Sequence, residues 1–285
     1  MNSQARKISK IIEPRFVREG AGVKLKRSFP ISELDYADPF LLFDHFGSDN
    51  PDDYLAGFPM HPHRGIETVT YVLDGVVTHK DSIGNAGSIG AGDVQWMTSG
   101  RGIMHEEMPK PHNGKMEGFQ LWVNLPAKLK MTSPRYQEIP SERIPEANSK
   151  DGIKIRVIAG TVGDVRGPVT EIAADPIYLD VSVPPDGSFT HPIESGHTVI
   201  AYVFEGEGLF GSMTEDQAKN VSHSKLIVFD DGDLVEVRAT SQPVRFLLCA
   251  GKPLHEPIAR YGPFVMNTQE EIQQALEDLR NGTFV

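Results

Sequence analysis

The sequence predicts an all-β protein that contains two copies of one strand-rich domain and ends in a short helix. Three observations support this prediction: 27 Gly and 21 Pro residues among 285, short segments of alternating character, and a weak internal repeat. Frequent Gly and Pro favour many short strands that are joined by turns over long helices. A chain of this length can bury two separate hydrophobic cores.

Segments rich in β-branched and aromatic residues run through most of the chain and predict strands. Glu67–Leu73 ends at an Asp-Gly turn, Phe119–Asn124 has the same character, and the pattern resumes at Ile153–Ile158. The stretch before Ile153 is charged and spaced by prolines, as is typical of a connection between domains. We therefore predict a first domain over residues 1–132, a connection over 133–152 and a second domain over 153–285.

A weak internal repeat indicates that the two domains share one fold. The nine residues that begin at His61 align without gaps with the nine that begin at His191. With one extra residue in the second copy, Tyr71–Gly75 matches Tyr202–Gly206, and a Gly-Asp pair follows in both copies. The shared order of strand, glycine turn and Gly-Asp strand start favours duplication over chance.

A capping pattern predicts one C-terminal helix. Thr268 can cap its first turn while Glu271 reaches back, and Gly282 ends it. The apolar residues that follow the cap fall on one face at helical spacing, namely Ile272, Ala275, Leu276 and Leu279. We expect this helix to be structural.

Composition and charge limit the classes of partner and compartment. The net charge of −11 argues against general affinity for nucleic acid or for an anionic membrane, but it permits a protein partner. Cys249 is the single cysteine, so no intramolecular disulfide can form, which suits a reducing compartment. No signal peptide or membrane span is recognisable. We therefore expect a cytoplasmic protein, and we expect it to be monomeric.

Two histidine clusters predict a mononuclear metal site. Side chains two positions apart on a strand point to the same face, so His61 and His63 can direct two imidazoles at one point. In Met104–Met108, His105 and Glu107 share one face while Glu106 lies on the other. Three imidazoles and a carboxylate suit Fe(II) or a similar borderline divalent ion, and the lack of thiolates argues against structural zinc.

Spacing alone leaves the carboxylate ligand open. Glu67, four residues after His63, has the same parity as Glu107 and is an equal candidate. A bulge at Gly65 would turn Glu67 outward, whereas a rotation of the second cluster would present Glu106 instead of Glu107.

The order of these motifs resembles the two-part signature of the cupins, and longer strings resemble the pirin family. The strings are HPHRGIETVTYVLDG, which begins at His61, and GAGDVQWMTSGRGIMHEEMP, which ends just after Glu107. Asp38–Asp44 and Tyr261–Asn267 are also similar to pirin segments, so the resemblance runs from about Arg15 to the C-terminus.

The resemblance implies two tandem cupin barrels of the jelly-roll type with one metal in the first barrel. The implied ligands are His61, His63, His105 and Glu107, which leaves Glu67 and Glu106 as neighbours of the site. The implied metal is Fe(II), although Mn, Ni, Co, Cu or Zn would also suit this ligand set. The second barrel is expected to lack a metal, because Ile193 occupies the position of His63 and no His-x-Glu cluster follows.

Several further residues near the motifs are candidates for the pocket or for support of the ligands. These residues are His45, Arg64, Trp96, Arg101, Met104 and Phe119. The two arginines could pair with buried carboxylates or with an anionic substrate.

The resemblance to pirins implies an iron-dependent dioxygenase that acts on quercetin or another small enolizable aromatic, with dioxygen as co-substrate. Glu107 is then the candidate general base. The alternative is a metal-dependent, redox-sensing partner of transcription factors or metabolic enzymes. An open apolar cavity at the metal would favour the enzyme, and a sealed site beneath a charged face would favour the sensor.

Overall fold

The protein is described by a computed structural model over residues 3–110, 114–148, 151–213 and 217–285. Its strands are β1 (Ile8–Ile12), β2 (Arg15–Glu19), β3 (Val23–Phe29), β4 (Phe40–Ser48), β5 (Phe58–His63), β6 (Ile66–Asp74), β7 (Val76–Asp81), β8 (Ala86–Ile89), β9 (Val94–Thr98), β10 (Ile103–Lys110), β11 (Met116–Asn124), β12 (Arg135–Ile139), β13 (Glu146–Asn148), β14 (Lys154–Ala159), β15 (Thr161–Val162), β16 (Val165–Arg166), β17 (Ile177–Val183), β18 (Ser188–Pro192), β19 (Thr198–Phe210), β20 (Lys219–Ser222), β21 (Lys225–Phe229), β22 (Leu234–Gly251), β23 (Ala259–Tyr261) and β24 (Phe264–Met266). Within these ranges, one α-helix, α1, spans Gln269–Asn281, and three short 3₁₀ turns occur at Pro51–Asp53, Ala127–Leu129 and Ser141–Arg143. The predicted all-β class with a C-terminal helix is confirmed. Within the described ranges, no helix has the length and apolar character that a membrane crossing requires.

The chain divides into two compact units that do not follow the predicted boundaries. The larger unit contains Arg15–Ser141 and Leu254–Val285, and the smaller unit contains Met1–Pro14 and Glu142–Pro253. The N-terminal segment therefore belongs to the smaller unit and the C-terminal segment to the larger unit, which is the reverse of the predicted division. The predicted connection is also shorter, because β12 pairs with β9 in the larger unit and β13 pairs with β14 in the smaller.

Backbone pairing explains this exchange of the terminal segments. In the smaller unit, β1 pairs with β21 and covers an edge that would otherwise present unpaired N–H and C=O groups. In the larger unit, α1 packs its buried Ile272 and Ala275 beside Phe264 and Phe284. Sequence periodicity predicts the C-terminal helix, but it does not show to which unit either terminal segment belongs.

The larger unit contains two large antiparallel sheets and the β23-β24 hairpin. A seven-stranded sheet has the order β12-β9-β6-β11-β4-β3-β2, and a four-stranded sheet has the order β5-β10-β7-β8. The chain passes from the second sheet to the first between β5 and β6, at Gly65, which has a φ of 81°. A Cβ at this position would clash with the carbonyl oxygen of Val265, so only glycine fits the corner.

Burial along two strands shows how the larger unit is layered. In β6, Ile66 to Val72 are all buried, which indicates a central strand covered on both faces. In β10, burial alternates, so that Ile103, His105 and Glu107 are buried while the residues between them are partly exposed. The predicted shared face of His105 and Glu107 is thus present.

The C-terminal helix has the predicted caps. The Thr268 side chain accepts a hydrogen bond from the Glu271 amide, the Glu271 carboxylate accepts one from the Thr268 amide, and Gly282 ends the helix with a φ of 71°. Ile272 and Ala275 are buried. The outer edge of the apolar face is less covered than the pattern predicts, because Leu279 is 36% exposed.

The smaller unit is a nine-stranded antiparallel sheet with the order β1-β21-β19-β22-β17-β14-β13, in which β18 also pairs with β22 and β20 with β19. β15 and β16 form a separate hairpin. The core of the smaller unit consists of aliphatic and aromatic side chains, among them Ile193, the residue that aligns with His63. The second copy therefore uses this position for packing.

Candidate metal centre and cavity

Antiparallel pairing of β5 with β10 brings three histidines together in the larger unit. His105 lies directly opposite His61, and His63 follows two positions later on β5. Their ring centroids are 4.4 to 5.0 Å apart, and one nitrogen of each ring lies within 4.8 Å of the other two. These three side chains could form a metal site.

Hydrogen bonding indicates that the imidazoles present lone pairs to one another. His61 Nδ1 lies 2.9 Å from the carbonyl oxygen of Pro59, so this nitrogen carries the proton and Nε2 holds the lone pair. That Nε2 is 3.0 Å from His63 Nε2. Among the described residues, neither ring nitrogen of His105 has a hydrogen-bond partner. Buried nitrogens with no protein partner fit a bound cation.

The electrostatic environment keeps the imidazoles of His63 and His105 in the neutral, ligating form. Burial holds the pKa of His63 well below its ordinary value, and neighbouring imidazoles lower it further. Burial, together with His61, lowers the pKa of His105 to about 3. Metal binding requires neutral imidazole, so no proton has to be removed from these two rings at neutral pH. The donor set therefore fits a divalent ion.

Glu107 lies on the same face of β10 but is held by a neighbouring hydroxyl. Its carboxylate is not part of the histidine group with mutual distances within 4.8 Å. Thr70 Oγ1 lies 3.1 Å from Glu107 Oε1 and 2.9 Å from the Gln120 side chain. The Gln120 atom at this distance is Oε1, an acceptor like the carboxylate oxygen. The Thr70 hydroxyl has one proton and therefore donates to one of these two oxygens at a time. Burial raises the pKa of Glu107 above its ordinary value. Glu107 as the fourth ligand stays a prediction.

The two other candidate carboxylates have partners of their own. Glu67 is buried and accepts hydrogen bonds from Trp96 Nε1 at 3.1 Å and Thr98 Oγ1 at 2.7 Å. Glu106 lies on the outer face of β10 and pairs with Lys80 at 3.0 Å. Counting alternate positions from His63 made Glu67 an equal candidate. This count does not predict the direction of the Glu67 side chain, because the chain changes sheets at Gly65.

Two of the three histidines open onto a cavity of about 600 Å³, a volume typical of small-molecule sites. His61, His63 and Glu107 line it. Apolar side chains supply much of the wall, including Val23, Leu25, Leu42, Phe46, Phe58, Val77, Met116 and Trp122. A charged group also lines it, in which Arg27 donates to both oxygens of Asp44 at 2.9 and 2.7 Å and lies 2.6 Å from Glu19.

Three of the predicted pocket residues lie on the face of the seven-stranded sheet away from this cavity. Leu42, Asp44 and Phe46 of β4 line the cavity, so the intervening His45 points to the other side. There His45 lies 3.3 Å from Glu117 and beside the Phe119 ring. Trp96, the third of these residues, is buried and donates its indole N–H to a carboxylate, as described above. Of the two roles expected for them, pocket lining or support, these side chains do not line this cavity, because alternate residues of a strand point to opposite faces.

The remaining three candidates serve other contacts. Arg64 is buried, pairs with Asp278 at 2.7 Å and lies 4.4 Å from the Phe284 ring centroid, so it anchors the C-terminal helix. Arg101 is exposed on a turn. Met104 packs beside the core cluster of the helix.

Gln120, Trp122 and Arg260 line the cavity but were not among the pocket candidates, and alternation along a strand could have indicated the first two. On β11 the sequence suggests Phe119 as a pocket candidate, but the side chains on the cavity side of that strand are Gln120 and Trp122. The Trp122 ring lies 5.1 Å from the His63 ring in an edge-on arrangement. Arg260, on β23, came from the distant C-terminal segment, and no periodicity within the first barrel could have indicated it.

The described part of the smaller unit contains a second group of potential metal ligands, formed by one histidine and two acidic residues. Asp175, Glu194 and His197 bring ligand atoms within 4.8 Å of one another, and both acidic residues are exposed. The Arg6 guanidinium donates to the carbonyl oxygens of His197 and Glu194 at 2.9 and 3.0 Å. A positive charge at this position disfavours a cation. His191, which aligns with His61, is buried and stacks on Phe189.

Comparison with known proteins agrees with this architecture. The pirin family model matches residues 22–123, and the model of the pirin C-terminal cupin domain matches residues 178–285. A provisionally named quercetin 2,3-dioxygenase of Pseudomonas aeruginosa is 44% identical, over 93% of each chain. A pirin-like protein of Caulobacter vibrioides is 43% identical, over 98% of this chain and 99% of its own.

A solved structure extends the comparison to three dimensions. The crystal structure of a quercetin 2,3-dioxygenase from Acinetobacter baumannii superposes with a TM-score of 0.88 at 35% identity and covers 98% of both chains. The tandem cupin architecture is thereby confirmed along the length of the chain. From the family models, the relatives and the shared fold, this chain belongs to the pirin family.

Proposed function

We propose that this protein is a metal-dependent dioxygenase that acts on quercetin-like flavonols or on another small enolizable aromatic. The observation that carries the proposal is the cluster of three imidazoles, two of which line a 600 Å³ cavity with extensive apolar lining. Such a cavity accommodates a flat, mainly apolar molecule beside a metal. The dioxygenase names of the relatives from Pseudomonas and Acinetobacter support the same activity.

The residues that would hold the ion are His61, His63 and His105, with Glu107 as the fourth ligand. Three imidazoles and one carboxylate favour a borderline divalent ion, and we propose Fe(II). When bound, such an ion supplies the Lewis acidity and the redox chemistry with dioxygen that these side chains lack.

The protein's own groups would bind, orient and deprotonate the substrate. Glu107 is the candidate base for the 3-hydroxyl of a flavonol, since burial raises its pKa and thereby favours proton uptake at a carboxylate oxygen. Thr70 fixes the orientation of that carboxylate through the 3.1 Å hydrogen bond. Phe46, Phe58 and Trp122 would enclose the rings of the substrate and exclude water. The overall reaction adds both atoms of dioxygen to the flavonol and releases carbon monoxide.

The test is anaerobic loading of the purified protein with Fe(II), followed by measurement of oxygen uptake and carbon monoxide release with quercetin. A variant with both His61→Ala and His63→Ala should lose both signals. His223→Ala, at an exposed histidine in the smaller unit, is the matched control and should retain them. Stoichiometric metal with no quercetin-dependent oxygen uptake would refute flavonol dioxygenase activity and favour the redox-sensing function.

A further inference from the structure

One cavity arginine has no acidic partner in the described structure. Arg260 lines the cavity, and its guanidinium lies 5.3 Å from the Trp122 ring centroid. The same Trp122 ring touches His63 edge-on, with centroids 5.1 Å apart. Trp122 therefore connects the candidate metal centre with the guanidinium, and His63 and Arg260 lie within about 10 Å of each other across it.

The hydrogen bonds of Arg260 leave most of its donor capacity unused. A guanidinium carries five N–H donors. Nη1 donates to the carbonyl oxygen of Leu41 at 3.3 Å and Nε to that of Gly262 at 3.5 Å, both long for N–H···O bonds. No carboxylate of the described residues lies within ion-pair distance of Arg260, whereas Arg27 in the same cavity is paired twice.

A purely structural role does not account for this arrangement. Two other arginines that stack on aromatic rings, Arg64 and Arg245, each have a carboxylate at 2.7 Å. Burial lowers the pKa of Arg260, and the nearby positive charge of Arg27 adds to this effect. The negative charges of three carboxylates that lie beyond ion-pair distance oppose it, namely those of Asp35, Asp44 and Glu19. A cation that is partly desolvated and faces a cavity gains most from an oxygen ligand that enters that cavity.

We infer that Arg260 is a specificity-determining residue that binds oxygen acceptors, anionic ones preferentially, on the end of a planar aromatic substrate remote from its metal-binding oxygen. This inference rests on the proposed function, whose substrate class it narrows. A guanidinium that stacks on an indole presents its N–H fork in the plane of a neighbouring ring, which suits phenolate or carboxylate oxygens. Substrates with a hydroxyl or carboxylate on the terminal ring are then preferred over unsubstituted ones.

The experiment compares two ligands by anaerobic titration calorimetry on protein loaded with redox-inert Zn(II). Quercetin carries hydroxyl groups on both terminal rings, whereas 3-hydroxyflavone keeps the chelating oxygens and lacks the others. Wild-type protein should bind quercetin more tightly than 3-hydroxyflavone. Arg260→Gln should weaken quercetin binding about 10- to 100-fold, as expected for hydrogen bonds to a charged group, and change 3-hydroxyflavone binding less than about 2-fold. Arg260→Lys, which retains the charge, should recover part of the loss.

A matched control separates recognition from folding. Arg245→Gln removes an arginine of the smaller unit that also stacks on an aromatic ring, 4.9 Å from the Phe204 centroid, and it should leave both affinities unchanged. Equal losses for the two ligands in Arg260→Gln, an unchanged quercetin affinity, or no preference for quercetin in the wild type would overturn the inference. Arg260-dependent quercetin binding without oxygen uptake by the Fe(II) protein would uphold the inference and refute the dioxygenase.

Discussion

Replacing the buried Lys130 by methionine should destabilise the larger unit by about 3 kcal/mol. Lys130 is 1% exposed, and its ammonium donates to the carbonyl oxygens of Gly65 and Val265 and to the side-chain oxygen of Asn124, at 2.8 to 3.0 Å. Each buried acceptor left without a donor costs about 1–3 kcal/mol. The Gly65 carbonyl keeps only a long 3.4 Å bond from the Leu125 amide, so the loss of the three bonds from the ammonium should cost about 6 kcal/mol.

The loss of the buried charge offsets part of this cost. Burial lowers the pKa of Lys130 from 10.5 to about 8, which corresponds to about 3 kcal/mol of unfavourable desolvation of the ammonium. Methionine has a similar length and removes that penalty. The net loss of about 3 kcal/mol should come with weaker metal binding, because Lys130 fixes the Gly65 corner that follows His63.

The assay is denaturant unfolding followed by tryptophan fluorescence. Both tryptophans of the chain, Trp96 and Trp122, belong to the larger unit, so the signal reports that unit directly. Lys128→Met, at an exposed position two residues earlier, is the matched control and should change stability by less than about 0.5 kcal/mol. Equal unfolding midpoints for the two variants would refute the reasoning that the ammonium holds the three acceptors.

Three further results are expected. Thr70→Val should lower metal affinity about 10- to 100-fold in competition with a chromophoric chelator, because it releases the Glu107 carboxylate, and Thr70→Ser should restore it. Hydrogen bonds from His45 and Lys115 lower the pKa of Glu117 to about 2, below its ordinary 4.5, so this group stabilises the fold above pH 4.5 and loses that effect as the pH falls towards 2. At pH 7, the free energy of unfolding of the wild type should therefore exceed that of Glu117→Gln by about 1 kcal/mol, after allowance for solvent screening. Urea unfolding at pH 2 should show no such difference in free energy, and a difference that persists there would contradict the reasoning. Addition of a divalent metal at 100 times its Kd should stabilise the metal-free protein by about 2.7 kcal/mol and raise its Tm, whereas the double histidine variant should show no such rise.

Local patterns in the sequence predicted the elements that depend on neighbouring residues. The capping box at Thr268 and the alternation in β10 are local features, and both are present as predicted. The three histidines were predicted to converge because a strand fixes the direction of side chains two residues apart, and β5 and β10 do bring them together. The boundaries of the two units could not be predicted, because the sheet that accepts a terminal strand depends on which edge is open.

The sequence by itself determined the all-β class, the duplication, the C-terminal helix and the residues of the histidine cluster. Tertiary structure alone decided that the carboxylates of Glu67 and Glu106 bind other side chains. It also decided which side chains line the cavity. The change of sheets at Gly65 turned Glu67 to Trp96 and Thr98, although its parity matched that of His63. Arg260 reaches the cavity from the far end of the chain. Parity and spacing act within one strand, whereas a corner between sheets and a contact between distant segments depend on long-range packing.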